Sequence, residues 1–251
     1  MPLYGKLPPH ESVEQMASHY IREMQTVQPE GPYYLAGFCF GAILAFEIAQ
    51  QLRRQGQEIA FVASFDGGVP GFDYYASRET AVAARSARVP SGGQQNKAKG
   101  GISRHWSRIR GRKPQKIVAY LVKKVVLRTR RNIGKIKCKI GAHYQKKGKG
   151  LPEWLRLSFF LWNNGQAEKS YRAEPYPGKM CIFVTKGLFA DPAMGWEKLV
   201  TGGVEVHEIP GEHRHHRDLM AGTFIVGVCE KLKPYLASRP QGVTRSSFDV
   251  R

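Results

Sequence analysis

Hydrophobic and polar positions switch between two periods along the early part of the chain. Ser12-Val13-Glu14-Gln15 has the pattern of a capping box and predicts a helix running to about Val27. Pro29-Glu30-Gly31-Pro32 stops it. Tyr33 to Phe38 is a short apolar run, which predicts a buried parallel strand. From Phe40 to Arg54, Ile43, Leu44, Phe46, Ile48, Ala49 and Leu52 recur at helical spacing, and Gly56 supplies the stop. Ile59 to Phe65 predicts a second buried strand, ending at Asp66-Gly67-Gly68. Strand, Gly-flanked turn, helix, Gly stop and strand make one βαβ unit and imply a parallel sheet.

From about Val69 to Ser170 that alternation ceases. Ser91 to Asn96 is a polar link, Arg104–Arg112 and Lys116–Arg128 predict basic amphipathic helices, and Leu151–Trp162 predicts a more apolar one. Strands return at Lys179–Thr185 and Val204–Ile209, and a helix over Asp218–Leu236 closes the pattern. The fold class is α/β: a single domain over residues 1–251, its mostly parallel sheet interrupted by a helical insert at about 71–170.

Charge changes the picture of that insert. The chain carries 39 Lys/Arg against 20 Asp/Glu, a formal net charge of +19. Between Thr80 and Pro152 there are 21 Lys/Arg and no Asp or Glu, so the remainder, with 18 basic and 20 acidic residues, is close to neutral. One segment therefore produces the whole field and suits an acidic partner. An anionic membrane surface, met by Ile117–Lys124, ranks second as a partner. Nucleic acid ranks third, because no recognisable nucleic-acid motif accompanies the charge. A hydrophobic fraction of 42% excludes global disorder. No apolar run approaches the roughly 18 residues of a membrane span, and the N-terminus lacks a signal-peptide core. The four cysteines, at 39, 138, 181 and 229, show neither metal-type spacing nor a disulfide framework. These features lead to the expectation of a soluble, cytoplasmic protein.

Gly37-Phe38-Cys39-Phe40-Gly41 sits where a strand meets a helix, in the pattern of a nucleophile elbow with cysteine as the nucleophile. The turn is expected to be so sharp that a side chain at either flanking glycine would clash. The helix N-terminus is expected to favour the thiolate, and the Phe40 N–H to face an oxyanion. Such a nucleophile needs a base, and the base an orienting acid. His213, in the loop after the last strand, is the first candidate base, with His215 and His216 as rivals. His207 is expected to face solvent from its strand, and His10, His19, His105 and His143 to be surface residues. Asp66 and Asp191 both follow strands at the carboxyl edge of the sheet and are the candidate acids.

Ser12 to Ala17, Gly31 to Ala42 and Phe65-Asp66-Gly67-Gly68-Val69-Pro70 resemble the thioesterase domains of non-ribosomal peptide and polyketide synthases. Tyr171, Pro175 to Lys179, Gly195-Trp196 and Pro210-Gly211-Glu212-His213 resemble the same family in the same order, so the match covers most of the chain outside 71–150. The resemblance implies an α/β-hydrolase-type fold with Cys39 as nucleophile, Asp66 as acid and His213 as base. Asp191 stays as the alternative acid, because related stand-alone thioesterases take theirs from after the later strand. The basic insert corresponds to the family's helical lid, with residues around Trp154–Trp162 shaping an acyl pocket. The implied activity is release or transfer of an acyl or peptidyl group from a carrier-protein thioester through an acyl-Cys39 enzyme. It calls for no metal or organic cofactor, since the substrate arrives on the phosphopantetheine of an acidic acyl or peptidyl carrier protein. The alternative, from another class, is a catalytically inactive module whose basic insert docks a carrier protein, an anionic membrane or nucleic acid.

Two departures from the family stand out. Cysteine replaces the usual serine, which leaves a competent nucleophile. Only 38 residues precede it, fewer than family members carry. The expectation is therefore a sheet missing its first strands and the loop of the second oxyanion N–H, from an incomplete gene model or a fragment.

Overall fold

The computed structural model describes residues 10–87, 129, 132–134, 136–144, 146–210 and 222–237. The chain divides into two compact units, Glu11–Ser86 with Ala167–Arg251, and Met1–His10 with Ala87–Gln166.

The first unit is built on four parallel strands, β1 (Tyr33–Phe38), β2 (Ile59–Phe65), β3 (Met180–Thr185) and β4 (Val204–Ile209), in the order β1-β2-β3-β4. The helices α1 (Val13–Val27) and α2 (Phe40–Arg54) pack with one face, α5 (Gly222–Ala237) with the other. Both faces being covered explains why β3 reads as an unbroken apolar run: all six of its residues are buried. Met180, Ile182 and Val184 join the α1–α2 core with Ile43, Phe46 and Leu52. Cys181 and Phe183 join Phe61, Phe65 and Ile209 against Val228, Leu232 and Tyr235 of α5.

Local chemistry sets the element ends. The Ser12 hydroxyl accepts from Gln15 N–H at 3.2 Å, and Gln15 Oε1 accepts from Glu11 N–H at 3.0 Å, so the capping box closes one residue further out than its usual form. Gly56, at φ 78°, takes the left-handed conformation that ends α2. The strand–helix–strand unit β1–α2–β2 lies where the hydrophobic pattern put it. Helix α3 (Tyr74–Ala87) has no counterpart in the pattern reading. Its start is capped by Asp73, whose Oδ1 accepts from Tyr75 and Ala76 N–H at 3.1 and 2.9 Å.

The helix expected at Leu151–Trp162 is α4 (Glu153–Ser170), which starts two residues later and runs further; residues to Gln166 belong to the second unit and the last four to the first. Leu155 and Phe159 are buried, whereas Trp154, Leu157 and Leu161 are exposed. Gly141 admits the Phe159 ring against the neighbouring helical backbone, where any Cβ would collide with it. The helices expected at 104–112 and 116–128, and the link at 91–96, lie outside the described residues. No helix among the described residues is long and apolar enough to cross a membrane.

Candidate active site

β1 ends at Phe38, in register with Phe65 of β2, and the chain turns at once into α2. Cys39 makes that turn at φ 53° and ψ −120°, a conformation an L-residue adopts only under constraint. Its N–H donates to Phe65 O at 3.0 Å, and its carbonyl accepts from Ala42 N–H at 3.0 Å. Gly37 is required sterically, since a Cβ there would be driven into the Gly41 carbonyl. Gly41 is not: a Cβ at that position meets nothing within 4 Å among the described residues, which corrects the expectation of a clash on both flanks. The asymmetry arises because Gly37 faces the first turn of α2, whereas Gly41 sits within that turn. A third glycine matters more than Gly41. A Cβ on Gly67 would collide with Ala42 and lie 2.6 Å from Cys39 O, so only glycine lets the turn after β2 nestle against the elbow.

Asp66 occupies that turn, again with positive φ (46°), and its N–H donates to Phe183 O at 3.0 Å. It is 2% exposed. Oδ1 accepts from Thr185 N–H at 3.3 Å, while Oδ2 has no hydrogen-bond partner among the described residues. Burial pushes its carboxyl up to about 6, against which the Thr185 N–H works. Three clamps hold the turn. Ser64 Oγ donates to Gly67 O at 2.7 Å, Trp196 Nε1 donates to the same carbonyl at 2.7 Å, and Gly68 N–H donates to Tyr74 Oη at 2.6 Å. Trp196 is fully buried, with its ring 4.9 Å from that of Phe46. The resemblance carried by Gly195-Trp196 did not reveal Trp196 as the brace of the Asp66 turn. Tyr74 gave no signal at all.

The electrostatics of Cys39 run opposite to expectation. Burial pushes its thiol above the usual range, and the nearby carboxylates of Glu168 and Asp66 push the same way. Only the Phe40 N–H, donated to the sulfur, opposes them. The Phe40 N–H at the helix N-terminus favours the thiolate but is outweighed by burial, with the two carboxylates adding to it. Glu168, its Oε1 3.5 Å from Gly71 N, is a site residue that sequence reading missed, since it lies a long way along the chain from the elbow. Tyr74 shares these surroundings: burial above all pushes its hydroxyl up to about 12, with Cys39, Glu168 and Asp66 adding to it.

The remaining candidates separate. Asp191 turns its carboxylate into its own loop, where Oδ1 accepts from Ala193 N–H at 3.0 Å and Oδ2 from Gly195 N–H at 2.8 Å. His213, His215 and His216 lie outside the described residues, beyond Pro210 at the carboxyl end of β4. His207 does not face solvent freely as expected: its side chain is 14% exposed, its ring stacks on Phe183 at 4.9 Å, and Nε2 lies 2.7 Å from Tyr235 Oη. Burial pulls it below the usual imidazole range, with Glu205 opposing. The reason is α5, whose Tyr235 covers the strand where sequence alternation suggested an open face. Among the described residues, Cys181, Glu205 and His207 bring a sulfur, a carboxylate oxygen and a ring nitrogen within 4.8 Å of one another. A cavity of about 680 Å³ is lined by Met24, Val27, Tyr33, Tyr34 and Leu236 and opens at the end of β1 away from Cys39.

Residues 1–88 match the family described as thioesterase domain. Aspulvinone E synthetase of Aspergillus terreus is 45% identical over 58 residues, 23% of this chain and 6% of that protein, so the chain spans a small fraction of that relative's length. A crystal structure of a four-domain nonribosomal peptide synthetase bound to AMP and glycine matches with a TM-score of 0.55 at 23% identity, over 92% of this chain and 16% of that one. The NocB thioesterase domain, in covalent complex with a fluorophosphonate nocardicin G analogue, matches with a TM-score of 0.53 at 18% identity, over 94% of this chain and 80% of that one. At these identities the structural likeness is one of fold.

Proposed function

From its match to the thioesterase domain family over residues 1–88, and from an α/β fold shared with the NocB thioesterase domain, we propose that this chain releases or transfers an acyl or peptidyl group carried as a thioester. Cys39 is the nucleophile, His213 the base and Asp66 the orienting acid. The Cys39 sulfur attacks the thioester carbonyl and passes its proton to His213. The Phe40 N–H, aimed at the bend, takes the developing oxyanion. The pantetheine sulfur then leaves with the proton from His213, and the acyl-Cys39 bond is broken by water or another acceptor nucleophile.

The single observation that carries this reading is the buried Asp66 carboxylate beside the elbow with one oxygen unpartnered among the described residues. It offers an imidazole N–H the acceptor that a triad needs. Chain length supports His213 in that role. Two strand spacings separate β4 from β2, about 10 Å, and the three residues from Pro210 to His213 extend at most about 11 Å. Asp191, with both oxygens occupied by its own loop, is the weaker acid. A thiol held above its usual range matches a nucleophile that gives up its proton only when the base takes it.

The same reading makes a carrier protein the partner, steered by the basic segment, and brings in no cofactor beyond the partner's phosphopantetheine. The test is intact mass spectrometry after incubation with an acyl-pantetheine thioester, with Cys39→Ala alongside. An acyl adduct on the wild type that the variant lacks is the expected result. A folded wild-type chain with no adduct, or an adduct that persists in Cys39→Ala, would overturn the proposal in favour of a binding module.

A further inference from the structure

At the end of the sheet away from Cys39, donor groups from two adjacent strands converge. Cys181 of β3 pairs in register with Glu205 of β4, and Phe183 with His207. Residues two apart on a strand share a face, so Glu205 and His207 stand on the α5 side with Cys181. One sulfur, one carboxylate oxygen and one imidazole nitrogen lie within 4.8 Å of one another. His207 Nε2 is 3.4 Å from Glu205 Oε1.

A tetrahedral ion bound at about 2.0–2.3 Å spaces its ligand atoms about 3.3–3.8 Å apart. No pair is further apart than 4.8 Å, so at most about 1 Å of closure is needed. Glu205, its side chain 61% exposed, can supply that movement by changing rotamer, while buried Cys181 and stacked His207 are already held. A cavity of about 290 Å³, lined by Cys181, Glu205, Tyr235 and Lys179 among others, gives an ion a way in.

We propose that Cys181, Glu205 and His207 bind a zinc-class divalent ion, with Tyr235 Oη or a water in the fourth position. One thiolate and one carboxylate balance the charge of the ion. Sulfur and nitrogen donors select zinc-class ions over magnesium or calcium. The Cys181 thiol releases its proton to solvent on binding. None of the three ligands touches Cys39, so the ion braces β3 and β4 against α5 and takes no part in acyl transfer.

The test uses the whole chain stripped with a chelator, titrated with Co(II) alone and then with Zn(II). Expected are one equivalent of Co(II) with a thiolate-to-cobalt absorption band in the near ultraviolet, and a melting temperature raised by Zn(II). The band persists in Cys39→Ala and is lost in Cys181→Ser. Glu205→Gln, at an exposed position that leaves packing intact, weakens Zn(II) binding about 10-fold or more. Absence of the band in the wild type, its survival in Cys181→Ser, or unchanged affinity in Glu205→Gln overturns the proposal. If Cys181→Ser does not fold, Glu205→Gln decides alone.

Discussion

Replacing Asp66 with asparagine separates what the carboxylate does for the reaction from what it does to stability. Its folded-state carboxyl sits at about 6 against an ordinary 3.8, mainly through burial. A shift of about two units is worth about 3 kcal/mol. Below pH 3.8 the group is protonated in both states and costs nothing. Between about 4 and 6 the unfolded chain loses its proton first, so folding stability falls with rising pH. Above 6 the whole penalty of about 3 kcal/mol is in force. Asparagine keeps an acceptor for Thr185 N–H and carries no charge. Asp66→Asn should therefore be more stable than the wild type at pH 7.5 by about 2–3 kcal/mol, and about equal to it at pH 3.5. The same variant should slow acyl transfer by about 10⁴-fold, the cost of this substitution in triads of known geometry. Urea titrations of both proteins at pH 3.5, 5 and 7.5, with adduct formation rates at 7.5, measure both effects. A variant less stable than the wild type at pH 7.5 would refute the argument that burying the ionised carboxylate costs stability. An unchanged rate would refute the acid role.

The flanking glycines should respond oppositely. Gly37→Ala, forced into the Gly41 carbonyl, should lose more than about 4 kcal/mol in denaturant unfolding. Gly41→Ala, with open space inside a helix, should be neutral or gain about 0.5 kcal/mol. Comparable losses in both would show that the elbow is not shaped as described. Removing the Glu168 charge should ease ionisation of the Cys39 thiol. Glu168→Gln should therefore speed Cys39 alkylation by iodoacetamide at pH 7.5 roughly 2- to 5-fold. A slower or equal rate would place the governing charge elsewhere.

Much of this architecture follows from neighbours in the chain. Helical spacing with Gly56 bounds α2, the apolar runs at Tyr33–Phe38 and Ile59–Phe65 form β1 and β2, and Gly37-Phe38-Cys39-Phe40-Gly41 forms the bend between strand and helix. Those features depend on sterics and periodicity within a few residues, so the sequence alone specifies them. α3 escaped notice because a short Asp73 cap and an Ala- and Arg-rich face give no strong apolar period. Tertiary structure decided the rest. The Cys39 thiol is pushed up first by burial, which only the assembled domain provides, and then by Glu168 and Asp66, brought beside it from distant segments. Trp196 braces the Asp66 turn across the domain, and His207 is covered by Tyr235 from a helix that sequence alternation cannot see. Cys181, Glu205 and His207 meet only because β3 and β4 pair in one register. Burial and charge act through space between residues remote in sequence, and those distances exist only once the sheet is assembled.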